Sequence, residues 1–321
     1  MSLLKLTANL AAGSGLAGLA AFGVAGLSGI GHRWIDILAQ FTAPVLVAAV
    51  LTTLACLLLR LWPAAVVGGL SCLVLLVAVW PQWFPPVGQP LPGQPSIRVY
   101  SANLWARNTD VEAIRRSVAA ADADIVVLVE FGDAPAARID DVLAGYPHRA
   151  VLGRVDRPSG AARSVIASRH PISRILPTPT DRLSAIGAIV QTPLGPVNVF
   201  GVHLTRPWPY QYQWGQISQV MALTARRAAA PDNPVIAAGD FNSVSSARIG
   251  KQIRSDMGLA PAPGWPGTWP SQAPALVGIT IDQVYRSPDL ALLSRRLGLP
   301  TGSDHRPVIT EFTLAAHPLA D

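Results

Sequence analysis

Gly302-Ser303-Asp304-His305-Arg306-Pro307, near the C-terminal end, and Gly239-Asp240-Phe241-Asn242, upstream of it, decide how the rest of the chain reads. Each run sets an acid beside a second polar group, next to an apolar stretch with the look of a strand. Val235 to Ala238 precede the first acid, and Val308 to Phe312 follow the second. Polar groups at strand ends gather at the mouth of a sheet, where a hard cation or a phosphate can sit. In an extended segment Phe241 points away from Asp240 and Asn242, so those two polar side chains share a face. The competing reading is an Asx-turn, which Asp and Asn both favour. A lone Asp-His neighbour is ordinary in a loop.

Company makes the two runs informative. Val99 to Asn103 reads as a strand ending in an amide, and Ile125 to Val129 as a buried strand ending in Glu130. Val199 to Val202 leads to His203, and Ile279 to Tyr285 carries Asp282. Glu130 is one of only three glutamates, with Glu112 and Glu311, which argues against a chance solvated acid. Hard cations such as Mg²⁺ prefer carboxylate oxygens and retain waters, so Glu130 and Asp304 are the metal candidates. Asn103 would add a neutral oxygen or orient Glu130. Asp282 and His305 are expected to pair, the carboxylate fixing the imidazole tautomer and raising its basicity.

This ordered set, Asn, Glu, His, Asp-x-Asn, Asp, Asp-His, resembles the endonuclease/exonuclease/phosphatase superfamily. Its members include deoxyribonuclease I, abasic-site endonucleases, neutral sphingomyelinases and inositol polyphosphate 5-phosphatases. The resemblance runs from about Ile97 to Leu314. One departure is Val129, where many members have Gln before the metal-binding Glu. The resemblance implies a four-layered α/β sandwich, two packed mixed sheets flanked by helices; periodicity alone reaches only α/β or α+β. It implies a Mg²⁺ or Mn²⁺ site from Asn103, Glu130 and Asp304. Asp240 and Asn242 would orient the attacking water and hold the scissile phosphate, and some members place a second metal there. His305 would bind phosphate and activate water, and His203 would contact phosphate or help the leaving group. Whether His305 or Asp240 takes the proton stays open. His170, in Ser168-Arg169-His170-Pro171, is expected to be structural.

Charge splits the chain sharply. Residues 1–96 carry only Lys5, Arg33, Asp36 and Arg60, out of 25 basic and 19 acidic side chains overall. The remainder has a mild basic excess and no dense basic stripe of the kind a duplex binder shows. Both cysteines, Cys56 and Cys72, lie in apolar segments, so cysteine usage says nothing of redox compartment. Leu6 to Gly31, Ile37 to Leu59 and Pro63 to Trp80 are uncharged and near the ~20 residues a spanning helix needs. Three spans are therefore expected, with Arg60-Leu61-Trp62 as a tight turn and Pro63 at a helix start. A signal peptide is the alternative for the first. That stretch shows small residues at four-residue spacing, Ser14 and Gly18, then Ala17, Ala21, Ala25 and Gly29, which suits close helix approach in a bilayer. Lys5 and Arg60 on one side place the N-terminus inside and everything after Ser96 outside the cytoplasm. Residues 81–96 hold six prolines and two glycines and read as a stiff, partly extended linker. Residues 97–315 then form the catalytic domain and 316–321 a tail.

Asp110 reads as the cap of a helix with Val111, Ile114 and Val118 on its packed face. Thr192 to Pro196 reads as a hairpin turn between Ile186–Gln191 and Val197–Val202. Gln211 to Ala229 reads as a helix with Ile217, Val220, Met221 and Thr224 on one face. Two loops carry aromatics for substrate selection: Arg206 to Tyr210, with Trp208, and Gly264 to Pro270, with Trp269. Rings there would stack on a base or dip into lipid, or simply pack against proline. The reading is a membrane-anchored metal-dependent phosphoesterase acting on a phosphodiester, in nucleic acid or phospholipid, with the bilayer as its other partner. No obligate protein partner is inferred. The alternative is a catalytically silent membrane-tethered module that binds a phosphorylated ligand.

Overall fold

Strands apolar on both faces must be covered on both, and the chain satisfies this with two sheets face to face and helices outside each. The computed structural model describes residues 2–30, 32–153, 163–179, 183–207 and 213–316. The N-terminal part is helical: α1 (Leu3–Leu27), α2 (Arg33–Gln40), α3 (Thr42–Leu58) and α4 (Trp62–Trp83). Then follow β1 (Ile97–Asn103), α5 (Val111–Ala121), β2 (Ile125–Val129), α6 (Asp133–Ala137), α7 (Ile139–Val142), β3 (His148–Leu152) and β4 (Ser164–Ser168). The second half runs β5 (Ile172–Ile175), β6 (Ser184–Thr192), β7 (Gly195–His203), α8 (Gln213–Ala228), β8 (Val235–Asp240) and α9 (Arg248–Met257). It closes with β9 (Ala260–Pro261), β10 (Asp282–Arg286), β11 (Leu290–Leu297) and β12 (Val308–Leu314).

One sheet has the order β11-β12-β1-β2-β4-β3 and the other β5-β6-β7-β8-β10-β9. Both are mixed: β1 runs parallel to β2 and antiparallel to β12, and β7 runs parallel to β8. Alternation along β2 shows the layering. Ile125 and Val127 enter the core between the sheets with Val199 and Ile236, while Val126 and Leu128 face Ile114 and Val118 of α5. The second sheet turns Phe200 and Tyr285 outward onto Leu223 of α8 and Ile253 of α9. This is the expected four-layered sandwich.

The packed face of α8 differs from its expected stripe. Val220 and Leu223 are buried, but Met221 is 61% exposed. The rest of the buried face is polar: Gln216, Gln219 and Arg226. These side chains brace backbone elsewhere, Gln219 accepting from Thr205 N–H and Arg226 donating to the Ala185 carbonyl, so apolar spacing misplaces the face.

The helical region also departs from three even spans. α1 and α4 are long and apolar enough to cross a membrane, but Ile37 to Leu59 falls in two helices, α2 and α3, that meet at 57°. α1 and α4 run parallel, since Asn9 near the start of α1 accepts from Ala64 N–H near the start of α4, and Gly23 lies against the Leu75 backbone. The seam on α1 runs Asn9, Leu16, Gly23, all buried, a seven-residue spacing. The expected Ser14–Gly18 face is not the seam, because Gly18 has open space beside it. Lys5 and Arg60 therefore share the far end of the bundle. At the near end α4 continues through Pro81 to Trp83, past the expected boundary.

The proline-rich segment is no free spacer. Leu292 N–H donates to Val87, Leu91 N–H to Leu314 and Ala316 N–H to Gln89, so the segment lies as a strap across the β11–β12 end of the first sheet. Thr313 Oγ1 adds a bond to the Pro95 carbonyl at 2.7 Å and Arg286 one to Pro86 at 2.8 Å. Proline lacks an N–H but keeps its carbonyl, so such a strap can accept from a sheet without continuing it.

Candidate active site

Register brings the polar residues of both sheets to one end. In the second sheet His203 of β7 and Asp282 of β10 each lie opposite Asp240 of β8. In the first, Asn103 is opposite Val129, so Asn103 and Glu130 end neighbouring parallel strands. β12 begins opposite Ser101, just after Asp304 and His305. Parallel strands end together, and this alignment stacks the site without long loops.

Glycine at 239 is needed for the approach. A Cβ there would lie 2.0 Å from the Val202 carbonyl oxygen, and its φ of 141° suits no side chain. The turn after Asp240 departs from the extended geometry expected. Asn242 adopts a left-handed φ of 47°, its N–H donating to Asp240 Oδ1 at 2.8 Å. The Asx-turn forms, and it is the Asx-turn that gathers Asp240 and Asn242. Phe241 still points away, into the core against Tyr285. Glu130 and Trp105 are also left-handed, at φ 49° and 55°. Such backbone in non-glycine residues costs about 1–3 kcal/mol each and clusters at functional sites.

Asp240 is the hub. Its Oδ2 accepts from Asn103 Nδ2 at 2.9 Å and Asn242 Nδ2 at 3.2 Å, and lies 3.9 Å from His203 Nε2 and 4.0 Å from His305 Nε2. Glu130 Oε1 is 3.4 Å from His203 Nε2, and its Oε2 accepts from Ala106 N–H at 3.1 Å. His305 Nδ1 meets Asp282 Oδ2 at 2.9 Å, the expected pair. Asn103 sits differently from the metal ligand expected. Its amide nitrogen faces Glu130 and Asp240, which orients the carboxylates, and its oxygen accepts from Trp105 N–H at 2.9 Å.

Burial sets the charges. Asp240 is pushed up to about 6, first by loss of water, with Asp282 adding to it and His305 and His203 opposing. For His305 burial alone would favour the neutral ring, but the carboxylates of Asp282, Asp240 and Asp304 outweigh it and raise its pKa to about 10. At neutral pH His305 is a held cation.

Among the described residues two groups bring three ligand-capable atoms within 4.8 Å of one another: Glu130, His203 and Asp240, and Asp240, Asp282 and His305. The first fits a hard divalent cation, with two carboxylates and room left by an imidazole; the second is closed by its own ion pair. Asp304 belongs to neither. Its Oδ2 accepts from Trp269 Nε1 at 3.2 Å and its Oδ1 lies 4.0 Å from His305 Nε2. Trp269 thus holds Asp304 and is no open stacking platform. Trp208 lies outside the described residues.

Two residues escaped the sequence reading. Gln216 Nε2 donates to the carbonyls of both Phe241 and Asn242, bracing the Asx-turn. Thr268 Oγ1 accepts from Asp282 N–H at 3.2 Å and Ile281 N–H at 3.3 Å. Thr268 sits in the aromatic loop already singled out; nothing local marks Gln216.

Solved structures share this fold. A Beutenbergia cavernae endonuclease/exonuclease/phosphatase superposes with TM-score 0.54 at 23% identity, covering 70% of this chain and 73% of its own. A Bacteroides vulgatus endonuclease/exonuclease/phosphatase gives 0.56 at 15%, covering 69% and 100%. Sphingomyelinase C from Streptomyces griseocarneus gives 0.50 at 19%, covering 68% and 99%. No curated protein matches the chain. The sequence profile of the Endonuclease/Exonuclease/phosphatase family matches residues 100–305, more than half the chain and the span that carries every residue of the site. The chain belongs to the endonuclease/exonuclease/phosphatase family.

Proposed function

We propose that residues 97–315 form the catalytic body of a membrane-anchored, divalent-metal-dependent phosphodiester hydrolase. The observation that carries this is the hub at Asp240: a buried carboxylate between two imidazoles, one of them held cationic by Asp282. Phosphoryl transfer to water needs a base, positive charge on the phosphoryl oxygens and a stabilised leaving oxygen. Asp240 is the base, since His305 already carries a proton at neutral pH. The water oxygen forms its bond to phosphorus as its proton passes to Asp240, and the ester P–O bond opposite breaks. His305 stabilises the charge on the phosphoryl oxygens. His203 donates to the leaving oxygen, and Asn242 holds the base in place, its side-chain amide donating to Asp240 Oδ2 and to the Leu204 carbonyl. Glu130, the carboxylate of the Glu130–His203–Asp240 group that the proton transfer leaves free, would hold Mg²⁺ or Mn²⁺, and such an ion, when bound, would neutralise phosphoryl charge. Trp269 holds Asp304 beside His305, where its charge adds to the field that keeps the ring protonated.

The test uses the full chain in detergent micelles with a chromogenic soluble diester. Turnover should require Mg²⁺ or Mn²⁺, vanish on chelation and return on adding the metal back. Metal-independent turnover would count against this reading.

A further inference from the structure

The catalytic body caps one end of the helical bundle, and that end carries the marks of a bilayer surface. Leu10, Leu51, Leu70 and Leu73 leave the sides of α1, α3 and α4 apolar and exposed, as lipid-facing helices are. At the near end Trp34, Trp80 and Phe84 are exposed, with Arg33 over the Trp34 ring, the pattern of an interfacial aromatic belt. The body is fastened at this level. Asp36 of α2 accepts from Arg248 N–H at 2.9 Å, Lys251 Nζ donates to the Gly26 carbonyl at 2.7 Å, and Ser246 Oγ donates to Gln82 Oε1 at 3.0 Å.

The segment that runs from this seam to the site is Gly264 to Ile281. Trp265 packs at a tilt against Trp83, with ring centroids 6.3 Å apart, and the short 3₁₀ helix Ala275–Val277 packs against α3. Trp269 packs against the buried cluster that Ala39 of α2 forms with Val244, Ala247, Ile279 and Ile281, and the same ring binds Asp304. One cluster and one indole therefore lie between α2 and Asp304. Exposed apolar side chains stand close in the chain to residues of the site, Trp105 two residues past Asn103 and Trp214 two residues before Gln216, and Leu276 is exposed on the 3₁₀ helix; Arg107 and Arg206 are exposed in the loops after β1 and β7. Trp214 is 75% exposed. The arginines along this segment are turned inward: Arg295 binds the Pro266 carbonyl and Arg306 those of Pro270 and Ser271. Engaged in this way, those two guanidiniums offer no cationic track for a polyanion, which nucleic-acid binding depends on.

We propose that the mouth of the site lies in the bilayer surface and takes its phosphodiester from there, an amphiphile whose apolar tail stays in the membrane. This rests on the phosphodiester-hydrolase reading and on α1, α3 and α4 lying in a bilayer. The substrate's tail remains among lipids beside α3 while its diester rises past Trp105 and Trp214 to Asp240. Binding energy from the remote tail is then spent on orienting the diester.

The test reconstitutes the full chain, with Mn²⁺, in vesicles of phosphatidylcholine and phosphatidylglycerol. It compares hexadecyl p-nitrophenyl phosphate in the vesicles, ethyl p-nitrophenyl phosphate in solution and a DNA oligonucleotide. The tailed diester should turn over at least about tenfold faster than the short one, and Trp214→Ser or Leu276→Ser should cut that ratio. Equal rates on the two diesters, or faster cleavage of DNA, would overturn the proposal. Fluorescence with acyl-brominated lipids gives a readout independent of turnover. Quenching should fall in Trp214→Phe, and an unchanged signal would place the mouth off the bilayer. Failure to hydrolyse any of the three, with Trp214 still quenched, would count against the hydrolase reading and support the seat of the mouth on the bilayer.

Discussion

In the proposed mechanism Asp240 and His305 divide the chemistry by charge, and the division has a sign in pH. Asp240 must be ionised to take a proton, so turnover should rise as pH climbs through about 6. His305 must stay protonated to hold phosphoryl oxygens, so turnover should fall as pH passes about 10. A pH–rate profile on a soluble diester at saturating Mn²⁺ checks both limbs. Asp282→Asn removes the main carboxylate that offsets burial at His305, so the alkaline limb should move to lower pH. Because the two residues form one unit, Asp282→Asn and His305→Ala together should cost little more than His305→Ala alone; a product of the two single effects would break up the pair. Glu130→Gln removes a metal charge from a nearly isosteric site and should lower turnover by more than about 100-fold. Calorimetric titration should show weakened Mn²⁺ binding in the same variant, and unchanged binding would remove Glu130 from the metal site.

At the scale of elements, the bundle and the α/β body complete each other. Ala247, at the N-cap of α9, has no side-chain acceptor to cap the helix, and Asp36 of α2 supplies the missing acceptor. An N-terminal cap contributes about 1 kcal/mol, and a carboxylate also suits the positive end of the helix dipole. Asp36→Ala should therefore lower the melting temperature of the full chain in micelles, and Asp36→Asn, which keeps an acceptor, should lower it less. Equal losses would mean that charge, not the hydrogen bond, makes the joint. The strap adds a second joint. A fragment beginning at Pro85 keeps the Val87 and Leu91 bonds to β11 and β12 that one beginning at Ile97 loses, and it should melt higher.

For the whole molecule, Lys5 and Arg60 at one end of the bundle and the body at the other fit an N-terminus inside the cytoplasm and a body outside it. Fusions after Ala315 test this. An exported alkaline phosphatase becomes active, whereas green fluorescent protein exported as an unfolded chain stays dark. A bright fluorescent fusion with an inactive phosphatase fusion would reverse the topology, placing the Lys5 and Arg60 end of the bundle outside.

Glu130, His203, Asp240, Asp282 and His305 were legible in the sequence because each ends or lines an apolar strand, and strand ends of two facing sheets meet by construction. The apolar runs themselves follow from burial on both faces, which needs no knowledge of the partner. What surrounds those residues was not legible. The face of α8 is half polar, so its Gln216 brace carries no apolar signal. The roles of Asn103 and Trp269 depend on which way an amide and an indole turn, which neighbours far along the chain decide. The seam between Asp36 and Arg248 joins residues from opposite ends of the sequence, and a single chain shows no trace of such a contact until it folds. Sequence alone determined the family, the layers and the acids of the site. Tertiary packing decided their charges and seated the site beside the bundle, because desolvation and long-range contacts exist only in the folded state.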